Sequence, residues 1–470
     1  MAENLITLDL GTPILTLSGH QEDNWTLRDA FEGTQIFGAT GSGKTSGSGA
    51  ALARRMLQLG FGGLILTVKN DERKQWADPK TGYCAQTGRQ KDLLILSKGG
   101  EYLFDFLEYE LQRPGPGAGE TGEISRLFST VLEAAGQGGG SSDPYWSRAL
   151  NQLLTNCIDM ARLATGRVSL RVLSTIIHEA PLSIEETKGE DWQALVRAAQ
   201  TNAKTEVQKR DLVITLDYFN REFPRLNERT RSSIVSIFTS MADVLLRGTI
   251  GGLFASGKFT LAPELTHEGA IILLDLPVKE YGETGRFAQM VFKYVWQKAA
   301  ERRDKSHPMR PVFLWCDESQ ELITGHDAAF QATARSSAVA TVYLTQNLRN
   351  YHARMGGGAK AEADTDSLLG NLGTKIFHAN SDPTTNQYAE RIFGYGSVQR
   401  HSGSISGQNT SIGWSDATEP TVPAKRFTML RRGSKANHYQ VEAIISQTRK
   451  WKTTNDNHIT AVFEQQKELG

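Results

Sequence analysis

The sequence predicts an α/β fold: a mostly parallel sheet with helices on both faces, interrupted by an inserted all-α subdomain. Three observations predict it. Short, near-continuous apolar runs rich in β-branched residues recur and are mixed with helical stretches, the pattern of parallel strands buried on both faces. A glycine-rich turn joins the first of these runs to a helical pattern. Breaker-rich segments then introduce a long stretch of helical character with no strand signal.

Taken in order, residues 34–37 read as a short buried strand, and residues 45–59 as a helix that stops at Gly60. Strands are expected at 64–68 and 93–96. The runs Arg113-Pro114-Gly115-Pro116-Gly117-Ala118-Gly119 and Gly136-Gln137-Gly138-Gly139-Gly140-Ser141-Ser142 are breakers and flexible linker. From Glu123 to about Arg247 the pattern is helical, most clearly over residues 146–154. The expected division is 1–119 for the N-terminal part of the α/β domain, 120–235 for the all-α insertion and 236–470 for the C-terminal part. Further strands are expected at 270–275, 312–315, 341–344 and 375–377. Between the first two of these, Phe287, Met290, Val291, Tyr294 and Val295 recur at helical spacing and make a crossover over residues 285–302. Residues 395–419 are polar and Gly/Ser-rich, a mobile loop or a β-excursion outside the core.

Composition narrows the function. At 470 residues the chain holds a large core, and with 52 basic and 52 acidic side chains it carries no overall basic signature. A nucleic-acid role therefore needs local patches. Cys84, Cys157 and Cys316 lie far apart with no C-x-x-C pair, which argues against zinc and a disulfide framework and for a reducing compartment. The opening Met1-Ala2-Glu3-Asn4 lacks the basic and apolar regions of a signal peptide, and no window approaches 18 consecutive apolar residues. The expectation is a soluble, cytoplasmic protein.

The glycine-rich turn is Gly38-Ala39-Thr40-Gly41-Ser42-Gly43-Lys44-Thr45, a full match to G-x-x-x-x-G-K-[ST]. This spacing turns consecutive backbone N–H groups inward around phosphates, sends Lys44 to the β- and γ-phosphates and sets the Thr45 hydroxyl on Mg²⁺. The following helix adds its N-terminal donors and dipole. These eight residues are the candidate ATP site.

Downstream, Val312-Phe313-Leu314-Trp315-Cys316-Asp317-Glu318 is an apolar strand ending in two carboxylates. Asp317 can complete the Mg²⁺ shell beside Thr45, and Glu318 can polarise the attacking water. A catalytic Glu directly after this Asp is a trait of motor-type ATPases rather than signalling GTPases. A further strand delivers Gln346 at its C-terminal end, where it either senses the γ-phosphate and orients water or simply caps the strand. Arg335, on an apparent helix over 328–339, is either a solvated helix arginine or an arginine finger for a neighbouring subunit.

Together these residues resemble the conjugative coupling ATPases of type IV secretion systems, the TraG/TraD family within the FtsK/HerA class. The order is the same: phosphate loop, all-α insertion, Asp-Glu strand, Arg, then Gln at a strand end. Also similar are residues 62–72, Phe104-Asp105-Phe106-Leu107, Leu273-Leu274-Asp275-Leu276-Pro277, residues 371–377, and the Ser-rich excursion before Arg426-Phe427-Thr428-Met429-Leu430. The resemblance implies a P-loop, RecA/FtsK-like sheet and a hexameric DNA translocase. It places Lys44 and Thr45 on nucleotide and Mg²⁺, Asp317 on Mg²⁺, Glu318 as catalytic carboxylate, Gln346 as phosphate sensor and Arg335 as the finger acting in trans. Two departures stand out. Family members usually begin with transmembrane helices and this chain has no such stretch, so contact with the inner membrane needs a partner. The family's Asp-x-Lys after the second strand is Thr67-Val68-Lys69 here, which leaves the role of Lys69 open.

Three functions are compatible with this reading. One is an ATP-driven ring that pumps DNA without reading sequence and delivers a relaxase–DNA substrate to a secretion channel, with Arg221, Arg225, Arg229, Arg231, Arg349, Arg354 and Lys360 as candidate backbone contacts or, individually, a solvated face. The second is a HerA-like ATPase that partners a nuclease in DNA processing or phage defence. The third is a nucleotide-gated docking platform with little turnover, against which the intact Asp317-Glu318 pair argues. Met355-Gly356-Gly357-Gly358 is a candidate hinge.

Overall fold

A computed structural model of the chain describes residues 9–20, 22–134, 144–406 and 409–465; the opening residues 1–4 and the linker expected at 136–142 lie outside the described residues. The expected apolar runs form strands β1 (Thr34–Phe37), β2 (Gly62–Leu66), β3 (Leu93–Ser97), β4 (Ile271–Asp275), β5 (Val312–Cys316), β6 (Val339–Thr345) and β7 (Thr374–His378). Two more, β8 (Gln440–Ser446) and β9 (His458–Glu464), were not expected. Together they make one nine-stranded sheet in the order β9-β8-β7-β1-β6-β5-β2-β4-β3.

Every pairing from β7 across to β3 is parallel. Strands β8 and β9 extend the sheet beyond β7 as antiparallel neighbours. β1, β2, β5 and β6 are buried along their whole length, as strands covered on both faces must be. β9 alternates buried and exposed residues, the half-covered pattern of an edge strand, and so carries none of the continuous apolar signal of the central strands.

The two faces of the sheet meet separate apolar layers, following the period-2 alternation of side chains. Phe313 and Trp315 of β5 pack with Trp76 and with the helix Ala50–Gln58. Leu314 and Cys316 face the opposite layer, which is continuous with the core of the insertion. The helix Val278–Glu301 touches β2 as well as helices of the insertion and so seats one on the other. Phe104 marks the seam, its ring centroid 4.4 Å from that of Phe292 and 6.0 Å from that of Phe254. The insertion runs from the helix Thr121–Ala134 to the helix Gly248–Phe254, and residue 235 falls inside the helix Glu228–Leu246.

The excursion expected at 395–419 takes its β alternative. Tyr395–Ser406 and Asn409–Pro420 pair as a long antiparallel hairpin outside the main sheet. At the candidate hinge, Gly356, Gly357 and Gly358 all have positive φ (97°, 71° and 76°), a run only glycine adopts without strain. Among the described residues, no single helix is long and apolar enough to cross a membrane.

Candidate functional site

The phosphate-loop motif emerges at the C-terminal end of β1, and Gly41 and Gly43 hold left-handed φ values of 71° and 90°. A Cβ on Gly43 would stand 2.6 Å from a methyl of Val441, and one on Gly47 would meet the same side chain at 2.6 Å. The unexpected strand β8 is thus a backing plate for the loop. The helix that follows opens with a π turn, Lys44–Gly49, before becoming α-helical. Such π segments recur at functional sites because they re-aim the side chains they carry.

His378, at the end of β7, ties this turn to β8. Its Nδ1 lies 3.0 Å from the Glu442 carbonyl, which can only accept, so Nδ1 carries the proton and Nε2 accepts from the Ser48 hydroxyl at 2.7 Å. Burial, aided by the nearby Lys44 charge, pushes the His378 pKa down to about 3, so the ring stays neutral. The Gln465 amide donates to Ser46 Oγ at 2.9 Å from the far end of β9.

Strand order decides how the rest of the site assembles. β6 lies between β1 and β5. Gln346, leaving the end of β6, therefore stands between the phosphate loop and the carboxylates that leave β5. Thr45 Oγ1 donates to Asp317 Oδ2 at 2.7 Å, bringing together the two residues expected to share a metal. Glu318 Oε1 accepts from Lys69 Nζ at 2.7 Å, Gln346 Nε2 at 3.2 Å and Lys44 Nζ at 3.4 Å. Its other oxygen accepts from Gln320 Nε2 at 3.2 Å. Burial alone would push the Glu318 carboxyl up; the Lys44 and Lys69 ammonium groups and the Gln346 amide outweigh it and hold the pKa down at about 2. Glu318 also has φ 47°, a strained value for a non-glycine residue. The turn is held there by Ser319, whose Oγ lies 2.5 Å from Tyr351 OH, which in turn donates to Gln35 of β1 at 2.8 Å.

Lys69, whose role the sequence left open, joins this cluster. It leaves the end of β2, the neighbour of β5, so it reaches Glu318 from the side opposite Lys44 and Gln346. Burial would lower its pKa, but Asp317, Glu318 and Glu72 together raise it, so it stays charged. Glu72 beside it is buried, and burial together with the Asp317 charge raises its carboxyl well above the usual range. The signal for Lys69 was a polar residue just past an apolar strand; what the sequence lacked was which strand lies next to β5.

Arg335 does not join this cluster. It sits in a short 3₁₀ turn after the helix Gly325–Ala334 and just before β6, beside Glu32 at 3.4 Å. The seven residues of β6 rise about 3.3 Å each, so roughly 23 Å separates Arg335 from the C-terminal edge where Gln346 stands. Arg335 cannot serve its own subunit's site.

Among the expected DNA contacts, Arg221, Arg225, Arg229, Arg349 and Lys360 are exposed, and Arg221 pairs with Asp217 at 3.0 Å. Arg231 donates to the Pro224 carbonyl at 3.2 Å, Arg349 to Thr384 Oγ1 at 2.7 Å, and Arg354 pairs with Glu283 and Glu321 at 2.8 and 2.9 Å. These three, like Arg221, already have partners within the fold.

The residues present fit a nucleotide and a divalent cation. Among the described residues Ser42 Oγ is buried without a hydrogen-bond partner and Lys44 is buried with Glu318 as its one ion-pair partner, and a hydroxyl–carboxylate pair stands at metal-sharing distance. Such a set binds phosphate, neutralises it and presents an ionised carboxylate to water.

The fold has counterparts among known proteins. Residues 311–432 match the family model described as the TraM recognition site of TraD and TraG. No curated protein matches the sequence. Among solved structures, the unbound bacterial conjugative coupling protein TrwB (its deltaN70 form) superposes with a TM-score of 0.63 at 15% identity, covering 96% of this chain and 88% of that one. TrwB in complex with the non-hydrolysable ATP analogue ADPNP gives 0.63 at 14% identity, with 96% and 90% covered. TrwB with ADP and Mg²⁺ gives 0.62 at 13% identity, with 96% and 89% covered. The fold is that of the conjugative coupling proteins, the family the sequence resembles.

Proposed function

We propose that the chain is an ATP-hydrolysing, ring-forming motor that moves DNA without reading its sequence and delivers a relaxase–DNA substrate to a type IV secretion channel, meeting the inner membrane through a partner. The observation that carries the reading is Glu318: an ionised, almost fully buried carboxylate held by four donors beside the Thr45–Asp317 pair. A docking protein has no use for so constrained a carboxylate. The fold shared with coupling proteins, and the match over residues 311–432, support the conjugative setting.

In this reading the N–H groups of residues 38–45 and the Lys44 ammonium bind the phosphates of ATP. Thr45 and Asp317 would hold Mg²⁺, whose chemistry is to neutralise charge across the β- and γ-phosphates. Lys44 cannot serve Glu318 and a γ-phosphate equally, so phosphate binding leaves Lys69 and Gln346 as the groups that aim Glu318 at water. Glu318 then orients and polarises the attacking water. Gln346, between the loop and Glu318, is placed to report the γ-phosphate to the strand that carries it. Arg335 would complete a neighbouring subunit's site, which makes turnover a property of the ring.

The test is steady-state ATP hydrolysis with and without single- and double-stranded DNA, alongside Lys44→Ala and Glu318→Gln. Several-fold stimulation by DNA, lost in both variants, is expected, with Glu318→Gln still retaining ATP. DNA-indifferent turnover in the parent protein would overturn the motor reading.

A further inference from the structure

Next to Glu318 lies a polar cavity of about 450 Å³ that no step of the proposed hydrolysis uses. Lys69, Glu318 and Gln346 line it, but no residue of the phosphate loop does. Those three side chains, already bonded to one another, are therefore a partition with the nucleotide site on one side and this cavity on the other. Lys279, Asn350 and Arg354 face it from beyond the partition.

We propose that this cavity is a binding site for inorganic phosphate, the station that receives the phosphate cleaved from ATP before it leaves the protein. The assignment rests on the ATPase reading and adds to it an exit route and the residues that form it.

Charge is the first argument. The lining brings together Lys69, Lys279 and Arg354 against two carboxylates, and both carboxylates are already engaged: Glu318 by Lys69 and Lys44, and Glu321 by Arg354 at 2.9 Å. Arg354 spends the same terminal nitrogen on Glu283, at 2.8 Å. Among the described residues Lys279 has no carboxylate partner, and its backbone N–H is anchored to the Val68 carbonyl at 2.9 Å, just past the strand that leads to Lys69. A recess whose rim carries a lysine without a counter-charge attracts anions.

The second argument is an unmade hydrogen bond. Arg354 Nε is buried and has no partner among the described residues, although one terminal nitrogen of the guanidinium is doubly engaged. A buried donor left unpaired is costly, and an arriving oxyanion is the acceptor that would satisfy it. A simple water reservoir would need neither that lysine nor the guanidinium. The third argument is position. Phosphate released on the γ side meets Glu318 first, and a carboxylate held ionised repels it; Lys69 and Gln346, the other two members of the partition, offer it donors that lead into the cavity.

The experiment measures inhibition of steady-state turnover by added inorganic phosphate in the parent protein, Lys279→Ala and Lys279→Arg. Phosphate inhibition is expected to weaken by about fivefold in Lys279→Ala, the loss of one partly solvated ionic contact, and to return in Lys279→Arg, with the KM for ATP unchanged. Unchanged phosphate inhibition in Lys279→Ala would overturn the site. So would a loss matched by an equal rise in the KM for ATP, which would place the inhibiting phosphate on the loop itself. Dimethyl phosphate, a diester like the DNA backbone, is the control; stronger binding of the diester than of phosphate would overturn the assignment. Should the parent not hydrolyse ATP, the ATPase reading fails by itself, and calorimetric titration of inorganic phosphate still decides the site: heat present in the parent and lost in Lys279→Ala supports it, and no heat in the parent refutes it.

Discussion

Replacing Lys69 by Met removes the shortest of the four contacts to Glu318 and little else. The ammonium lies 2.7 Å from Glu318 Oε1, and the side chains are 38% and 5% exposed. At an effective dielectric constant of about 20 the bare Coulomb energy at this distance is about 6 kcal/mol, an upper bound because Lys69 is partly solvated and its desolvation and screening subtract from it. The net worth of a charge-assisted hydrogen bond of this kind is about 1.5–3 kcal/mol. With ATP bound Lys44 is drawn to the phosphates, so Lys69 is the principal cation left to aim Glu318. Losing that energy in the transition state lowers kcat by about 10- to 100-fold. The KM for ATP should not move, because residues 38–45 are untouched. Lys69→Arg should recover most of the rate, since its charge and donors reach the same oxygen. The assay is ADP release at saturating ATP, with nucleotide affinity measured separately by fluorescence titration. Turnover of Lys69→Met within about twofold of the parent would refute the reasoning, leaving Gln346 and Gln320 sufficient to hold the carboxylate.

Three further outcomes follow from the same geometry. Gly47→Ala forces a Cβ to within 2.6 Å of Val441 and should cost about 1–3 kcal/mol in urea denaturation, with Val441→Ala restoring part of it; an unchanged midpoint would mean that β8 does not back the phosphate loop. Asp327 and Lys293 form a buried pair at 2.5 Å, so Asp327→Asn should destabilise by about 3–5 kcal/mol by stranding the lysine. Burial alone would raise the Asp327 carboxyl, but Lys293 and the surrounding hydrogen bonds hold it below its ordinary value; the stability it confers is therefore present above about pH 4 and lost as pH falls below that, whereas Asp327→Asn should lose this acid limb. Arg335→Ala should keep nucleotide binding but lose about 10³–10⁵ in turnover, and mixing it with Lys44→Ala subunits should restore activity at the shared interfaces; full turnover by Arg335→Ala alone would remove the finger.

Local strings were enough for much of this protein. The phosphate loop is eight consecutive residues whose backbone conformation follows from where its glycines fall, and Asp317, Glu318 and Gln346 each end a buried apolar strand, so their position at the C-terminal edge of a parallel sheet was legible. The apolar runs that became β1 to β7 were legible because a strand covered on both faces must be apolar throughout. β8 and β9 were not, because Gln440 and Glu442 interrupt the apolar residues of β8 and β9 alternates buried with exposed residues, so neither is a continuous apolar run. The expected division at 235 falls inside the helix Glu228–Leu246, whose apolar face packs into the same layer as Phe128 and Leu153.

What the sequence alone determined was the set of chemical groups, each carried at the end of its own element. Which of them meet was decided only in three dimensions. Lys69, on the turn after β2, reaches Glu318 because β2 pairs with β5; Gln346 reaches it because β6 lies between β5 and β1; and Arg335 is excluded because it enters β6 at the opposite edge. Strand order is fixed by how the crossovers and the insertion pack their apolar faces, a sum over contacts distant in the chain, and no local run of residues records it.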